Sequence, residues 1–258
     1  MTRVQRARLL LIASILYVIG FYFIGAAIKP GYSQLSDFVS EYNAAGTPWA
    51  GVLTYAGFLA TTLLLSAFLF ASAPLLPVSG AGRVGKWLLW CVPASYFIAV
   101  IAACDAGCPL EGSFSQILHN VFAVIVYFGM GASLALLSFA PGFRTAPWRR
   151  SFLFLSGIAF PPVFFAMVQP ELESWGGLLQ RSLDMALAVS LIFLMWTSPG
   201  PGQQAKVRAR QAHGYLRCAR LFCAHCTRQP HARDPGSCIS WRTSFLSDVR
   251  PGPGEALE

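Results

Sequence analysis

The sequence predicts an all-α membrane protein: a bundle of six transmembrane helices with the N-terminus and the C-terminus both cytoplasmic. Three observations lead there. Of 258 residues, 55% are hydrophobic and only 12% charged, against about 25% charged in a soluble domain. The charges are also unevenly spread. Residues 1–198 hold 10 Lys/Arg and 7 Asp/Glu, whereas residues 199–258 hold 9 and 4, so the formal +8 is mostly tail. Finally, basic residues alternate from one connecting segment to the next. The first 198 residues cannot cover a water-facing surface with so few charges, which excludes a soluble globule and a nucleic-acid-binding domain.

About 20 apolar residues are needed to cross the hydrocarbon core as a helix. Windows of that kind fall at about 9–28, 49–73, 87–104, 117–140, 151–168 and 177–197. Helices are expected rather than strands, because a backbone in lipid must satisfy its own hydrogen bonds within long apolar runs. The first run ends in Gly25-Ala26-Ala27 and so has features of a secretory signal. Its length exceeds the roughly 7–15 residues of a signal core, and a retained helix is expected. Residues 1–198 are thus read as the membrane domain and residues 199–258 as a basic, disordered cytoplasmic tail.

The connections fix the expected orientation. Arg3, Arg6 and Arg8 precede the first span; Arg83 and Lys86 separate the second and third; Arg144, Arg149 and Arg150 separate the fourth and fifth. The alternate connections hold one basic residue, Lys29, beside Asp37, Glu41, Asp105, Glu111, Glu171 and Glu173. Lys and Arg are retained on the cytoplasmic side, so the acidic connections are external and the protein is expected in the cell (cytoplasmic) membrane as a multi-pass protein. Trp49, Trp87, Trp148 and Trp175 fall near span ends, where an amphipathic ring prefers the interface.

Polar residues that could form a site gather on the external side. Ser36, Asp37, Ser40 and Glu41 lie in the first external loop, and Asp105 in the second. His119 and Asn120 enter the fourth span, and Arg181 and Asp184 the sixth. A charge within a span costs roughly 2.5 kcal/mol or more, so such residues face a partner or a water-filled cavity. Arg181 and Asp184, three apart, share a helix face and are suited to an ion pair. Equally, Arg181 is suited to anchor an anionic headgroup or to reach Asp37 or Glu41. His119 is either a proton-transfer group or a histidine that merely hydrogen-bonds a neighbour. No paired-histidine spacing or other metal-ligand motif occurs in the body, so neither a metal nor a cofactor is expected.

Cys104 and Cys108 lie on the external side, where disulfides persist, and a structural staple is expected in preference to a redox pair. Pro161-Pro162 in the fifth span predicts a kink. Gly129-Met130-Gly131-Ala132-Ser133 in the fourth supplies a small-residue face for close helix packing.

Leu35-Ser36-Asp37-Phe38-Val39-Ser40-Glu41-Tyr42, followed by Gly46-Thr47-Pro48, resembles the opening motif of the DUF998 family of bacterial integral membrane proteins. Cys104-Asp105-x-x-Cys108-Pro109 with Ser115-Gln116-x-x-His119-Asn120 is similar to its second motif, and Gln180-Arg181 to its third. The resemblance covers roughly Arg8 to Thr197. It implies a six-helix integral membrane protein and a set of shared residues, without a reaction.

The tail opens on Ser198-Pro199-Gly200-Pro201-Gly202, a run of helix breakers. Cys218, Cys223 and Cys226, with His213, His225, His231 and Cys238, suggest zinc, but the second ligand pair of a structural site is missing. A basic extension drawn to anionic lipid is the stronger reading, and an altered reading frame is a further one. For the whole chain, the expected partner is the lipid bilayer. The expected function is to bind or pass a lipid or small molecule at an external polar pocket. The alternative is an intramembrane lipid-modifying enzyme, a hydrolase or transferase, using His119 as proton shuttle with Asp105 or Asp37.

Overall fold

The computed structural model describes residues 1–76, 78–140, 143 and 146–197. Among the described residues it is all helix and turn, without a strand. Six helices are long and apolar enough to cross a membrane. We number them α1 (Arg3–Ile28), α2 (Ala50–Leu75), α3 (Ala81–Ile101), α4 (Phe114–Leu137), α5 (Pro147–Met167) and α6 (Gly176–Thr197). Each packs on its neighbours in sequence, and α6 closes back on α1, making a ring. The Cys/His-rich stretch of the tail lies outside the described residues.

Local chemistry sets the breaks in these helices. Thr2 caps α1 in a reciprocal box with Gln5. In α2, Leu53–Leu59 is π-helical, and Gly57 lies in this segment with the Phe21 ring pressed against it. A Cβ there would stand 2.2 Å from that ring. The α3 helix comprises Ala81–Leu88 and Cys91–Ile101. Pro93 has no N–H to give the Leu89 carbonyl, which accepts from Val92 at 3.0 Å instead. This helix begins before the expected residue 87 because the amphipathic turn holding Arg83 and Lys86 joins it. It ends before 104, leaving Cys104 in the loop. Both Pro161 and Pro162 are accommodated inside α5.

The small residues of α4 bring three helices into backbone contact. A Cβ on Gly131 would be 2.7 Å from the Gly157 carbonyl of α5, and one on Gly157 would be 2.5 Å from that of Gly131. On its other side, Ser133 donates to the Gly85 carbonyl of α3 at 2.7 Å. Close approach of this kind replaces the hydrophobic drive that helices lack in lipid.

At the end of the bundle that holds the N-terminus, basic side chains reach back onto helix ends. Arg8 donates to the Met195 carbonyl at 3.3 Å and lies over the Trp196 ring, and Lys86 donates to the Ala73 carbonyl. The opposite end, called distal below, carries the α1–α2, α3–α4 and α5–α6 connections.

Gly157→Val should cost about 3 kcal/mol, because backbone rather than a side-chain tip blocks the added methyls. Gly20→Val, where a Cβ meets nothing within 4 Å, should be nearly neutral. Thermal unfolding of the two variants in one detergent checks the difference.

Candidate functional site

The first distal loop is bolted to the start of α6. Among the described residues no side chain accepts from Gly177 N or Leu178 N at the start of α6. The loop supplies acceptors instead: Gly177 N donates to the Ser36 carbonyl at 3.0 Å and Leu178 N to that of Leu35 at 2.9 Å. Gln180 Oε1 accepts from Val39 N at 2.7 Å. The carbonyls of Gln34, Asp37 and Gly177 gather round Arg181 Nη1 at 2.9, 3.1 and 2.8 Å. Arg181 Nη2 donates to the hydroxyls of Tyr32 and Tyr42. The guanidinium also lies over the rings of Tyr22 and Tyr32, at 5.8 and 5.7 Å. Its Nε is buried without a partner among the described residues. Gly177 is required for this approach, since a Cβ there would fall 2.4 Å from the Asp37 carbonyl.

Within the loop the carboxylates close turns. Asp37 accepts from Ser33 N at 2.8 Å and from the Ser36 hydroxyl at 2.7 Å. Glu41 accepts from Phe38 N at 3.1 Å, and burial raises its pKa above the ordinary carboxylate value. Lys29 donates to the Glu41 carbonyl and, at 3.1 Å, to the Thr47 hydroxyl. Burial lowers the lysine's pKa, against the pull of Glu41 and Asp37. Burial likewise raises the pKa of the Tyr32 hydroxyl.

The second loop is a separate construction that leans on the first. Cys104 and Cys108 are joined by a disulfide. Asp105 accepts from Ser113 N and from its hydroxyl, both at 2.8 Å, and these bonds lower its pKa. Gln116 accepts from Asp105 N at 2.7 Å and donates to Asn120, which donates in turn to the Pro109 and Leu110 carbonyls. His119 Nδ1 lies 2.8 Å from the Ala102 carbonyl, which can only accept, so the proton sits on Nδ1. The two loops touch where Ala45 N donates to the Cys104 carbonyl at 2.8 Å and the Ser40 hydroxyl lies 3.3 Å from Cys108 Sγ.

Below both loops, inside the ring, lies a third cluster. Tyr22 of α1 donates to Asp184 of α6 at 2.7 Å, and its hydroxyl stands 2.9 Å from that of Tyr96 on α3. Tyr127 of α4 lies against Gln180 and within electrostatic reach of Asp184. Phe58, on the π-helical segment, backs Tyr96, and the rings of Phe21 and Tyr42 extend the aromatic packing. Asp184 forms no ion pair among the described residues, and its Oδ1 accepts no hydrogen bond there.

A family model described as a protein of unknown function, DUF998, matches residues 11–197. The chain belongs to the DUF998 family. No curated protein and no solved structure matches it. The matched stretch contains both loops and the interior cluster, so the DUF998 body of this chain is a multi-pass membrane unit.

The structure sorts the expected site residues into groups. Ser36, Asp37, Glu41 and Arg181 share the first loop and its dock, whereas Asp105 and Asn120 hold the second loop and Ser40 stands between the two. His119 is engaged with Ala102, and Asp37 and Asp105 are each engaged in a different turn. The trio expected for acid–base catalysis is therefore not joined by any contact. Arg181 and Asp184 turn to different partners: the arginine to loop carbonyls, the aspartate to Tyr22. The sequence reading omitted Tyr22, Tyr96, Tyr127, Gly177 and Gln180 as site residues. The Gly176-Gly177 doublet just before Gln180-Arg181 was the available signal for the dock.

Gly177→Ala should loosen the Gln34–Val39 segment by about 2 kcal/mol, and hydrogen exchange should show it as faster exchange at the Gly177→Ala dock and at Leu178. Asp105 provides a pH test. A carboxylate with a lowered folded-state pKa contributes stability above its ordinary value of 3.8 and loses it as the pH falls through the folded value. Acid should therefore lower the melting temperature of the wild type more than that of Asp105→Asn.

Proposed function

We propose that this DUF998 protein sits in the cytoplasmic membrane with both termini inside and binds or passes a lipid or small molecule at its distal, external end. One observation supports this reading above the rest. Asp184 lies eight residues into α6, about 12 Å along the helix, yet among the described residues it has a single tyrosine partner and one oxygen with none. A carboxylate at that depth is costly unless it meets a partner or accessible space. Asp184, Tyr22 and Gln180 all keep partial exposure despite lying among packed helices. The two loops, stapled by the disulfide and tied by Arg181, form a fixed rim above this group.

The orientation rests on the basic side chains at the end opposite that rim. On this reading the disulfide stands on the oxidising side. A bound ligand would enter past the rim or through the seam where α6 meets α1.

Native mass spectrometry of the protein released from its own membrane should show an adduct that Asp184→Asn loses and Asp105→Asn keeps. An adduct equally retained by Asp184→Asn would contradict the site. A cysteine placed between Arg83 and Lys86 should resist a membrane-impermeant maleimide in intact cells, whereas one at Gln34 should react.

A further inference from the structure

Building on the reading of a ligand site at Asp184, we infer that the ligand presents an uncharged hydroxyl group to it, carried on a lipid alcohol or on a soluble polyol. Charge narrows the choice first. Arg181 lies within electrostatic reach of Asp184, so the guanidinium and the carboxylate together leave the site neutral. An anionic group finds the terminal nitrogens of Arg181 already given to loop carbonyls and to Tyr32 and Tyr42. A cationic group finds a carboxylate whose charge is already offset. Among the described residues no group of three His, Cys, Asp or Glu could hold a metal ion. A ligand group without net charge suits the site best.

Hydrogen bonding then selects the group. Tyr22 donates its hydroxyl proton to Asp184 Oδ2, and the contact between Tyr22 and Tyr96 takes the proton of Tyr96. Acceptor capacity therefore remains on Asp184 Oδ1 and on the Tyr96 oxygen. Unused donors stand in the same cluster. Gln180 gives its Oε1 to Val39 N, which leaves its amide N–H groups to donate. Tyr127 lies against Gln180, and its own hydroxyl proton meets no acceptor among the described residues. The Nε of Arg181 is likewise buried without a partner there. Gln180 and Asp184 are four apart on α6 and so share a helix face. A ligand that fits must donate a proton to Asp184 and accept one from Tyr127 or Gln180. A single hydroxyl does both with one oxygen. An ether or a carbonyl only accepts, and an ammonium group only donates.

The test uses the full chain in a detergent without hydroxyl groups. Native mass spectrometry compares dioctanoylglycerol, the methyl ether of its free hydroxyl, the corresponding phosphate ester and octylammonium. The alcohol should bind the wild type at least about tenfold more tightly than the ether and than either charged probe. Asp184→Asn turns its carbonyl oxygen to the Tyr22 proton and its amide N–H to the ligand, so it should bind alcohol and ether alike. Tyr127→Phe keeps the ring and removes a donor that both probes use, so it should weaken both and leave the alcohol preferred. Misfolding does not produce these two different patterns. Equal binding of alcohol and ether to the wild type, or tighter binding of a charged probe, would overturn the inference. The ligand site would still stand if Asp184→Asn loses the adduct carried from the native membrane. A preference for the alcohol that survives in Asp184→Asn would also overturn the inference. No binding of any probe, with no native adduct, would overturn the inference and the ligand site together. Competition separates the two sources, either of which upholds the inference. Displacement of dioctanoylglycerol by dodecanol but not by glucose identifies a lipid alcohol, and displacement by glucose identifies a soluble polyol.

Discussion

The docking of the first distal loop on the start of α6 is the contact on which the rest of the distal end depends. A helix leaves its first N–H groups without intrahelical acceptors. Here Leu35 and Ser36 supply them, while Arg181 reaches up from the same helix to gather two further carbonyls of that loop. One guanidinium thereby fixes a loop that has little regular structure of its own. It also fixes Tyr32 and Tyr42, whose rings stand 4.6 Å apart over the interior. Tyr42 in turn donates to the Tyr22 carbonyl at 2.7 Å. The dock therefore connects the distal surface to the residue that holds Asp184.

This arrangement assigns different work to the polar residues of the distal end. Most motif residues hold backbone. Asp37, Glu41 and Asp105 accept from main-chain N–H groups, Gln116 and Asn120 tie a loop to α4, and the disulfide closes that loop. Asp184, which stands below them, is an acid with spare hydrogen-bonding capacity among the described residues. Asp184 thus keeps one oxygen without a hydrogen bond among the described residues, beneath loops whose own acids are engaged. The dispersed acids and His119 are each occupied by separate hydrogen bonds.

Much of the fold was legible in the sequence. Runs of about 20 uncharged residues leave little choice in a bilayer, and the alternation of Arg and Lys with Asp and Glu orders the connections. The small-residue face of α4 was legible for the same reason, since Gly131 and Ser133 have few uses in lipid other than close packing. The site was less so. Asp37 and Glu41 look like ligand groups in one dimension. Whether a carboxylate closes a turn depends on which N–H lies beside it, and spacing alone does not say. Tyr22, Tyr96 and Tyr127 sit in apolar runs on three different helices, where tyrosine reads as packing or as an interfacial ring. Only the ring closure of the bundle brings the first two hydroxyls together and sets the third residue near Asp184. The pairing of Arg181 with Asp184 was plausible from their spacing, but five acceptors in the folded loop and its dock outcompete one carboxylate.

The central claim is that Asp184 is an open carboxylate within the membrane, while the other acids near it serve the fold. An apolar carbodiimide that partitions into the bilayer, followed by peptide mass spectrometry, tests this directly. Labelling of Asp184 in the folded protein, with Glu41 left unmodified, is the predicted result. Labelling of Asp184 only after denaturation would mean that its carboxylate is closed off by the packing around it, and would contradict the account.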